Sequence, residues 1–234
     1  MITRAVTPAS TPVQHTANDD AARAVIVIQE AFGVNDHIRN VTERFAEHGF
    51  FAVAPELFHR TGSPEIPYDN FPDAMSAVGT LTATGIHDDL MAAADFLAGR
   101  GFSRESVGIV GYCMGGSVSF YAATLDIVGG AVSFYGGGVE NGRFGLPSLL
   151  ELAPALRCAW LGLYGDLDKG IPVEQVEQLR AATATTSYDT QIVRYADAEH
   201  GFNCAARPAV YNEAAAHDAT RRTYDFFTQH LRAR

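Results

Sequence analysis

The chain has 234 residues, 47% of them hydrophobic, which is enough to fill the core of one large α/β domain spanning residues 1–234. Its net charge of −10 and its lack of basic clusters argue against a nucleic-acid partner. The longest aliphatic run is far too short to cross a bilayer, the N-terminus lacks a leader-like apolar segment, and the three scattered cysteines suit no disulfide frame. The expectation is a cytoplasmic protein with no membrane contact and with reduced thiols.

Residues 1–23 are polar and turn-rich, and predict a loose or edge-strand lead-in. Residues 24–28 are continuously apolar and mostly β-branched, the pattern of a strand covered on both faces. A loop, Gln29-Glu30-Ala31-Phe32-Gly33, follows, and Asn35-Asp36 starts a helix that ends near Gly49. Residues 50–54 predict the next strand, stopped by Pro55. Residues 56–84, with Pro64, Pro67, Pro72, Gly62 and Gly79, predict a long loop that lines or covers a site, with Phe58, Tyr68 and Phe71 as an aromatic lid. A helix is expected over 86–97, with Asp88 and Asp89 near its favourable end. Strands over 106–110, 130–135 and 158–164 follow, the last two split by a glycine-rich excursion over 136–145. A helix over 172–182, a strand over 190–195 and a helix over 210–231 complete the alternation. Strand and helix in turn predict a mostly parallel sheet with helices on both faces and right-handed crossovers.

The chain's chemistry centres on Gly111-Tyr112-Cys113-Met114-Gly115-Gly116, between a strand and a helix. Glycines two before and two after Cys113 let strand and helix pass closely, and the pinned turn thrusts the thiol into the open. Ionised, that thiol is a strong nucleophile, and the Met114 N–H at the helix start faces where an oxyanion forms.

In an open parallel sheet, partners for the nucleophile come from loops at the carboxyl ends of strands. Two loops downstream qualify: one holds Asp166 and Asp168, the other His200. The order nucleophile, acid, histidine is that of α/β-hydrolases. His200 is the only one of eight histidines at a strand-end loop beyond Cys113. Its expected role is to take the thiol proton and return it to the leaving group. Asp168, closer to the next helix than the turn-forming Asp166, is the favoured orienting acid, with Asp166 left open.

Together with Gln29-Glu30-Ala31-Phe32-Gly33, Ile171-Pro172 and His200-Gly201-Phe202, these residues resemble the dienelactone hydrolase (carboxymethylenebutenolidase) family of α/β-hydrolases, from about residue 24 onward. The resemblance implies the α/β-hydrolase fold, a triad of Cys113, Asp168 and His200, and Glu30 as an auxiliary base. Without it, Glu30 is an exposed loop glutamate or a carboxylate that holds the thiol proton until substrate displaces it. The Ala31 N–H is the second expected oxyanion donor.

A thiolate leaves a tetrahedral intermediate faster than an alkoxide does, so a thiol enzyme suits enol esters, enol lactones and other activated acyl groups better than plain esters or amides. Family members that act on dienelactone hold its carboxylate with arginines. Arg207, seven positions after His200, and Arg60, in the long loop, are the candidates here. Tyr135, Phe32 and Phe202 are candidate pocket walls. Cys204, four positions beyond His200, is either a resolving thiol or a small packed hydrophobe. No metal-ligand spacing is present, so neither metal nor cofactor is expected. Two rival functions share these features: a glutamine amidotransferase-like enzyme, and a non-catalytic ligand-binding protein on a hydrolase fold. A small-molecule ester or lactone is the expected partner, and no feature chooses between a monomer and a homodimer.

Overall fold

Four consecutive β-branched residues, Val25 to Ile28, are completely buried, which a strand permits only when both its faces are covered. The computed structural model, which describes residues 1–234, builds that cover around one eight-stranded sheet. Its strands are β1 (Ile2–Val6), β2 (Pro12–Thr16), β3 (Arg23–Ile28), β4 (Phe50–Pro55), β5 (Val107–Tyr112), β6 (Gly130–Phe134), β7 (Ala159–Gly165) and β8 (Thr190–Tyr195). The spatial order is β1-β2-β4-β3-β5-β6-β7-β8, with β2 antiparallel to both β1 and β4 and every other pairing parallel. This is the α/β-hydrolase arrangement. After β3 the chain steps one way to β4 and then returns to the other side for β5, so the loops leaving β3 and β5 diverge and open a crevice between them.

Helices α1 (Asp36–Glu47), α2 (Phe71–Val78), α3 (Ala83–Ala98), α4 (Met114–Ala122), α5 (Leu149–Leu152), α6 (Val173–Thr183) and α7 (Glu213–His230) connect the strands. Their starts follow side-chain chemistry. The Asn35 carboxamide oxygen accepts the Ile38 N–H at 3.3 Å, the Thr82 hydroxyl accepts the Gly85 N–H at 3.1 Å, and Asn212 accepts the Ala215 N–H at 3.1 Å. Helix α1 buries Ile38, Val41 and Phe45, and α7 buries Phe226 and Phe227. Each large apolar side chain removed from water in this way contributes roughly 1.5–3 kcal/mol. The buried apolar residues form one continuous cluster of 65.

A buried polar thread anchors α4 to the sheet. The Trp160 indole N–H donates to Ser133 Oγ at 3.0 Å, and Ser133 Oγ donates in turn to the Gly116 carbonyl at 2.8 Å. Ser119 Oγ, from the middle of α4, lies 2.9 Å from the Val132 carbonyl.

One expectation is narrowed and two need amendment. The lead-in over residues 1–23 is ordered as the edge hairpin β1–β2, the edge-strand alternative. Residues 56–84 are not a plain loop, because they contain α2, capped by Asn70. Pro72 reads as a breaker, yet it occupies the first helical turn, where its missing N–H is not needed. Nor do the three aromatics make a lid: Phe58 is 1% exposed in the core, Phe71 is 59% exposed and faces outward, and only Tyr68 approaches the site. Helix α5 falls between the β6 and β7 strands and starts with a capping box between Ser148 and Glu151.

Candidate active site

The elbow has the geometry its glycines predict. Cys113 takes φ +57°, ψ −117°, a region that non-glycine residues enter only under local strain. An added Cβ at Gly111 would lie 1.8 Å from the Gly115 carbonyl oxygen, and one at Gly115 would lie 2.5 Å from the Gln29 carbonyl oxygen. Strand β5, helix α4 and the end of β3 therefore touch through backbone alone. Cys113 is a free, partly exposed thiol at the head of α4, whose first N–H groups lack helical partners. The Met114 N–H is the first of these. The Ala31 N–H, across the crevice, donates to no acceptor in the chain.

The two later loops converge on this point. Asp168, beyond β7, is a nearly buried carboxylate, and its Oδ2 accepts the His200 Nδ1–H at 2.6 Å. Its Oδ1 accepts the Gly170 N–H at 2.8 Å, which fixes the carboxylate from behind. Burial disfavours an imidazolium at His200, but the adjoining Cys113 sulfur and the Asp168 carboxylate outweigh it and push His200 up to about 10. The choice between the two acids is geometric. Asp166 is gripped by the Arg194 guanidinium through two bonds, at 2.7 and 2.8 Å, and turns away from His200.

Glu30 is not the exposed loop glutamate that its position allows. It is 1% exposed; its Oε1 accepts the Tyr135 hydroxyl at 3.4 Å, and its Oε2 has no partner. Tyr135 is itself fully buried at φ +40°, with its ring 5.1 Å from the His200 ring. It braces the histidine and the glutamate from below and does not form an exposed pocket wall. Phe202 is likewise buried, packed edge-on to Tyr135 at 5.2 Å, and is a support for the same reason. Phe32, 4% exposed, packs edge-on against Tyr68 at 4.6 Å.

The two arginines separate cleanly. Arg60 forms a two-pronged pair with the buried Asp89 carboxylate, at 2.7 and 3.1 Å, in a cluster completed by His59 and Thr11. Its guanidinium is committed to the fold, so the expectation that it binds substrate is overturned. Arg207 forms no ion pair; its guanidinium lies 5.8 Å from the ring centres of both Phe32 and Tyr68, with Nη1 against Gly201 beside His200.

Sequence reasoning overlooked His37. It sits in the first turn of α1, where the helix leaves the carboxyl edge of the sheet, and its Nε2 is buried without a partner. Burial pulls its imidazole below the usual histidine range. Cys204 is fully buried and unpaired, with its thiol donating to the Tyr68 hydroxyl at 3.2 Å. Burial and the nearby Glu30 charge push it up to about 11. A residue early in a helix that follows a β3-type loop was the available signal for His37.

A strained strand-to-helix turn, with an acid and a histidine from two later strand ends, defines a protein of the α/β-hydrolase class. Residues 11–231 match the dienelactone hydrolase family. A Salmonella typhimurium protein provisionally named carboxymethylenebutenolidase is 36% identical over 217 residues, covering 92% of this chain and 80% of its own. A Rhodococcus opacus carboxymethylenebutenolidase is 27% identical, with 96% and 89% covered. A crystal structure from Klebsiella pneumoniae, provisionally named a dienelactone hydrolase, superposes with a TM-score of 0.89 at 32% identity over 98% of both chains. The chain belongs to the dienelactone hydrolase family, and with it to the hydrolases of ester and lactone bonds. No helix is long and apolar enough to cross a membrane.

Proposed function

We propose that the chain hydrolyses enol lactones and other activated esters through a thioester acyl-enzyme on Cys113, with His200 as the proton carrier and Asp168 as its orienting acid. The observation that carries this reading is the 2.6 Å contact between Asp168 and His200 at the rim of a strained turn that presents a thiol beside the same imidazole. An amidotransferase-like dyad is disfavoured, because the histidine's acid comes from thirty-two positions upstream and the residue two positions after it is the buried Phe202.

Asp168 holds the Nδ1–H, which leaves Nε2 to accept the Cys113 proton. The thiolate adds to the acyl carbon, and the resulting oxyanion is held by the Met114 and Ala31 N–H groups. Collapse of the intermediate expels an enolate, which takes the proton from His200 on oxygen or carbon and ends as the ketone, and Cys113 retains the acyl group as a thioester. Water, deprotonated by His200, then attacks the thioester; the acid departs and the thiol regains its proton.

Glu30 serves as an auxiliary base. With Oε2 free and its other oxygen bound only to Tyr135, it accepts a hydrogen bond from the Cys113 thiol in the resting enzyme; when substrate displaces it, that proton passes to His200 Nε2. Arg207, whose guanidinium forms no ion pair and lies by the Phe32 and Tyr68 rings, anchors a substrate carboxylate.

The test is a panel of enol lactones with and without a free carboxylate, assayed with the wild type, Cys113→Ala and Arg207→Ala. Cys113→Ala is expected to lose turnover on all of them. Arg207→Ala is expected to raise KM about tenfold, and only for the carboxylated members. Full activity in Cys113→Ala would refute the reading.

A further inference from the structure

Behind Glu30 three donors of different chemical kinds converge. A Glu30 carboxylate oxygen, a His37 ring nitrogen and the Cys204 sulfur all lie within 4.8 Å of one another. Two of these groups carry buried atoms with no partner, Oε2 of Glu30 and Nε2 of His37. Orphaned polar atoms are rare in a folded interior, and leaving one unpaired costs on the order of 1–3 kcal/mol. A proton shared between the carboxylate and the imidazole satisfies both but makes no use of the sulfur's ligand character, since the thiol only donates to the Tyr68 hydroxyl. A cation satisfies all three.

We infer that Glu30, His37 and Cys204 form a site for a divalent transition metal of the zinc type, and that filling it withdraws Glu30 from the nucleophile. Carboxylate, neutral imidazole and thiolate are all regular zinc ligands, at about 2.0–2.3 Å. A tetrahedral ion with such bonds holds its donors roughly 3.3–3.8 Å apart. Side-chain adjustment from the present spacing reaches that geometry without moving a strand. Charge also balances. Binding sends the Cys204 proton to solvent, so one carboxylate and one thiolate offset the two positive charges and the buried site is neutral when filled. Arg44 and Arg207 both act on His37 and oppose a cation there. With nitrogen and sulfur as two of its three donors, the site disfavours magnesium and calcium, which take oxygen ligands, and favours a thiolate-binding metal.

An entry path exists. His37, Asn203, Ala205 and Ala206 line a surface depression of about 290 Å³, so His37 stands between solvent and the other two ligands. The fourth position falls to water or to the Tyr68 hydroxyl, which already contacts the sulfur.

The inhibitory half of this inference rests on the reading of Glu30 as auxiliary base; the binding half does not. Binding is tested in the full chain carrying Cys113→Ala, which removes the nucleophilic thiol and any metal it would take. Titration with Co2+ is expected to give one equivalent per chain, with a near-ultraviolet sulfur-to-cobalt charge-transfer band that vanishes when Cys204→Ala is added. Competition for Zn2+ with a chromophoric chelator is expected to show at least a tenfold loss of affinity when His37→Ala is added instead. With Cys113 intact, Zn2+ is expected to inhibit lactone turnover reversibly, and Cys204→Ala to resist that inhibition at least tenfold. Thermal melts of each variant establish that it is folded. Absence of the cobalt band, or a band indifferent to Cys204, overturns the site. A normal band with inhibition unchanged by Cys204→Ala overturns the inhibitory role alone.

Discussion

Replacing Asp168 by Asn isolates the role of one proton. The Gly170 N–H donates to Oδ1 of Asp168 at 2.8 Å, so an asparagine there keeps its carbonyl oxygen toward Gly170 and is forced to present its NH2 to His200. The imidazole must then accept at Nδ1 and carry its proton on Nε2, the nitrogen that has to receive the thiol proton. An unassisted thiol of pKa ~8.5 is only about 3% ionised at pH 7, a loss of roughly thirtyfold. Losing the imidazolium as acid to the departing group removes a further factor of about 10². The expected fall in kcat/KM is therefore about 3 × 10³, equivalent to about 5 kcal/mol of transition-state stabilisation. Part of it should return as pH rises from about 7 to 9 and the free thiolate forms. The assay is steady-state turnover of an enol ester across that range, beside a thermal melt to establish folding. A kcat/KM within tenfold of the wild type at pH 7, or no recovery at high pH, would refute the assignment.

Three further outcomes follow from the same geometry. Arg60→Ala should leave KM for carboxylated lactones unchanged but cost about 3 kcal/mol in denaturant unfolding, because it strips the two-pronged partner from Asp89, a carboxylate 1% exposed. Gly115→Ala should destabilise by about 2–3 kcal/mol and lower kcat about tenfold, since the new methyl lands 2.5 and 2.7 Å from the Gln29 and Ile28 carbonyl oxygens and nothing flexible is there to yield. The third concerns Glu56, where burial alone would raise the carboxyl but hydrogen bonds from Arg4, Ser63 and Gln14, with the Arg4 charge, hold it at about 2. Its native value lies below its ordinary 4.5, so its contribution to stability is present above pH 4.5 and is lost as pH falls through about 2. Melting temperatures measured across that window should fall less steeply in Glu56→Gln than in the wild type.

The sheet, the elbow and the histidine were legible because each leaves a local mark. Residues 24–28 carry the apolar run of a covered strand, Gly111 and Gly115 bracket Cys113 at the spacing its turn demands, and His200 follows a strand end. The misreadings arise where a distant partner decides. Arg60 sits in a segment where a substrate-binding arginine is expected, but its fate is set by Asp89 from α3. Pro72 disguised α2, and Tyr135 and Phe202 looked like pocket walls because both sit at the carboxyl edge, although their rings point into the core. In the cluster of Glu30, His37 and Cys204 the first two are seven positions apart, but Cys204 comes from the far end of the chain and joins them only through the fold, so no spacing rule finds it.

The thread from Trp160 through Ser133 to Gly116 gives the molecule an optical gauge of its own. Trp160 is the only tryptophan in the chain, completely buried, with Phe120 edge-on at 4.9 Å and its indole N–H bound within the same chain of contacts that seats the elbow helix. Its emission therefore responds when the ground beneath the nucleophile loosens, so unlabelled protein reports on that region as it is heated, acidified or mutated. Ser133→Ala should shift that emission at once, by leaving the indole without its acceptor.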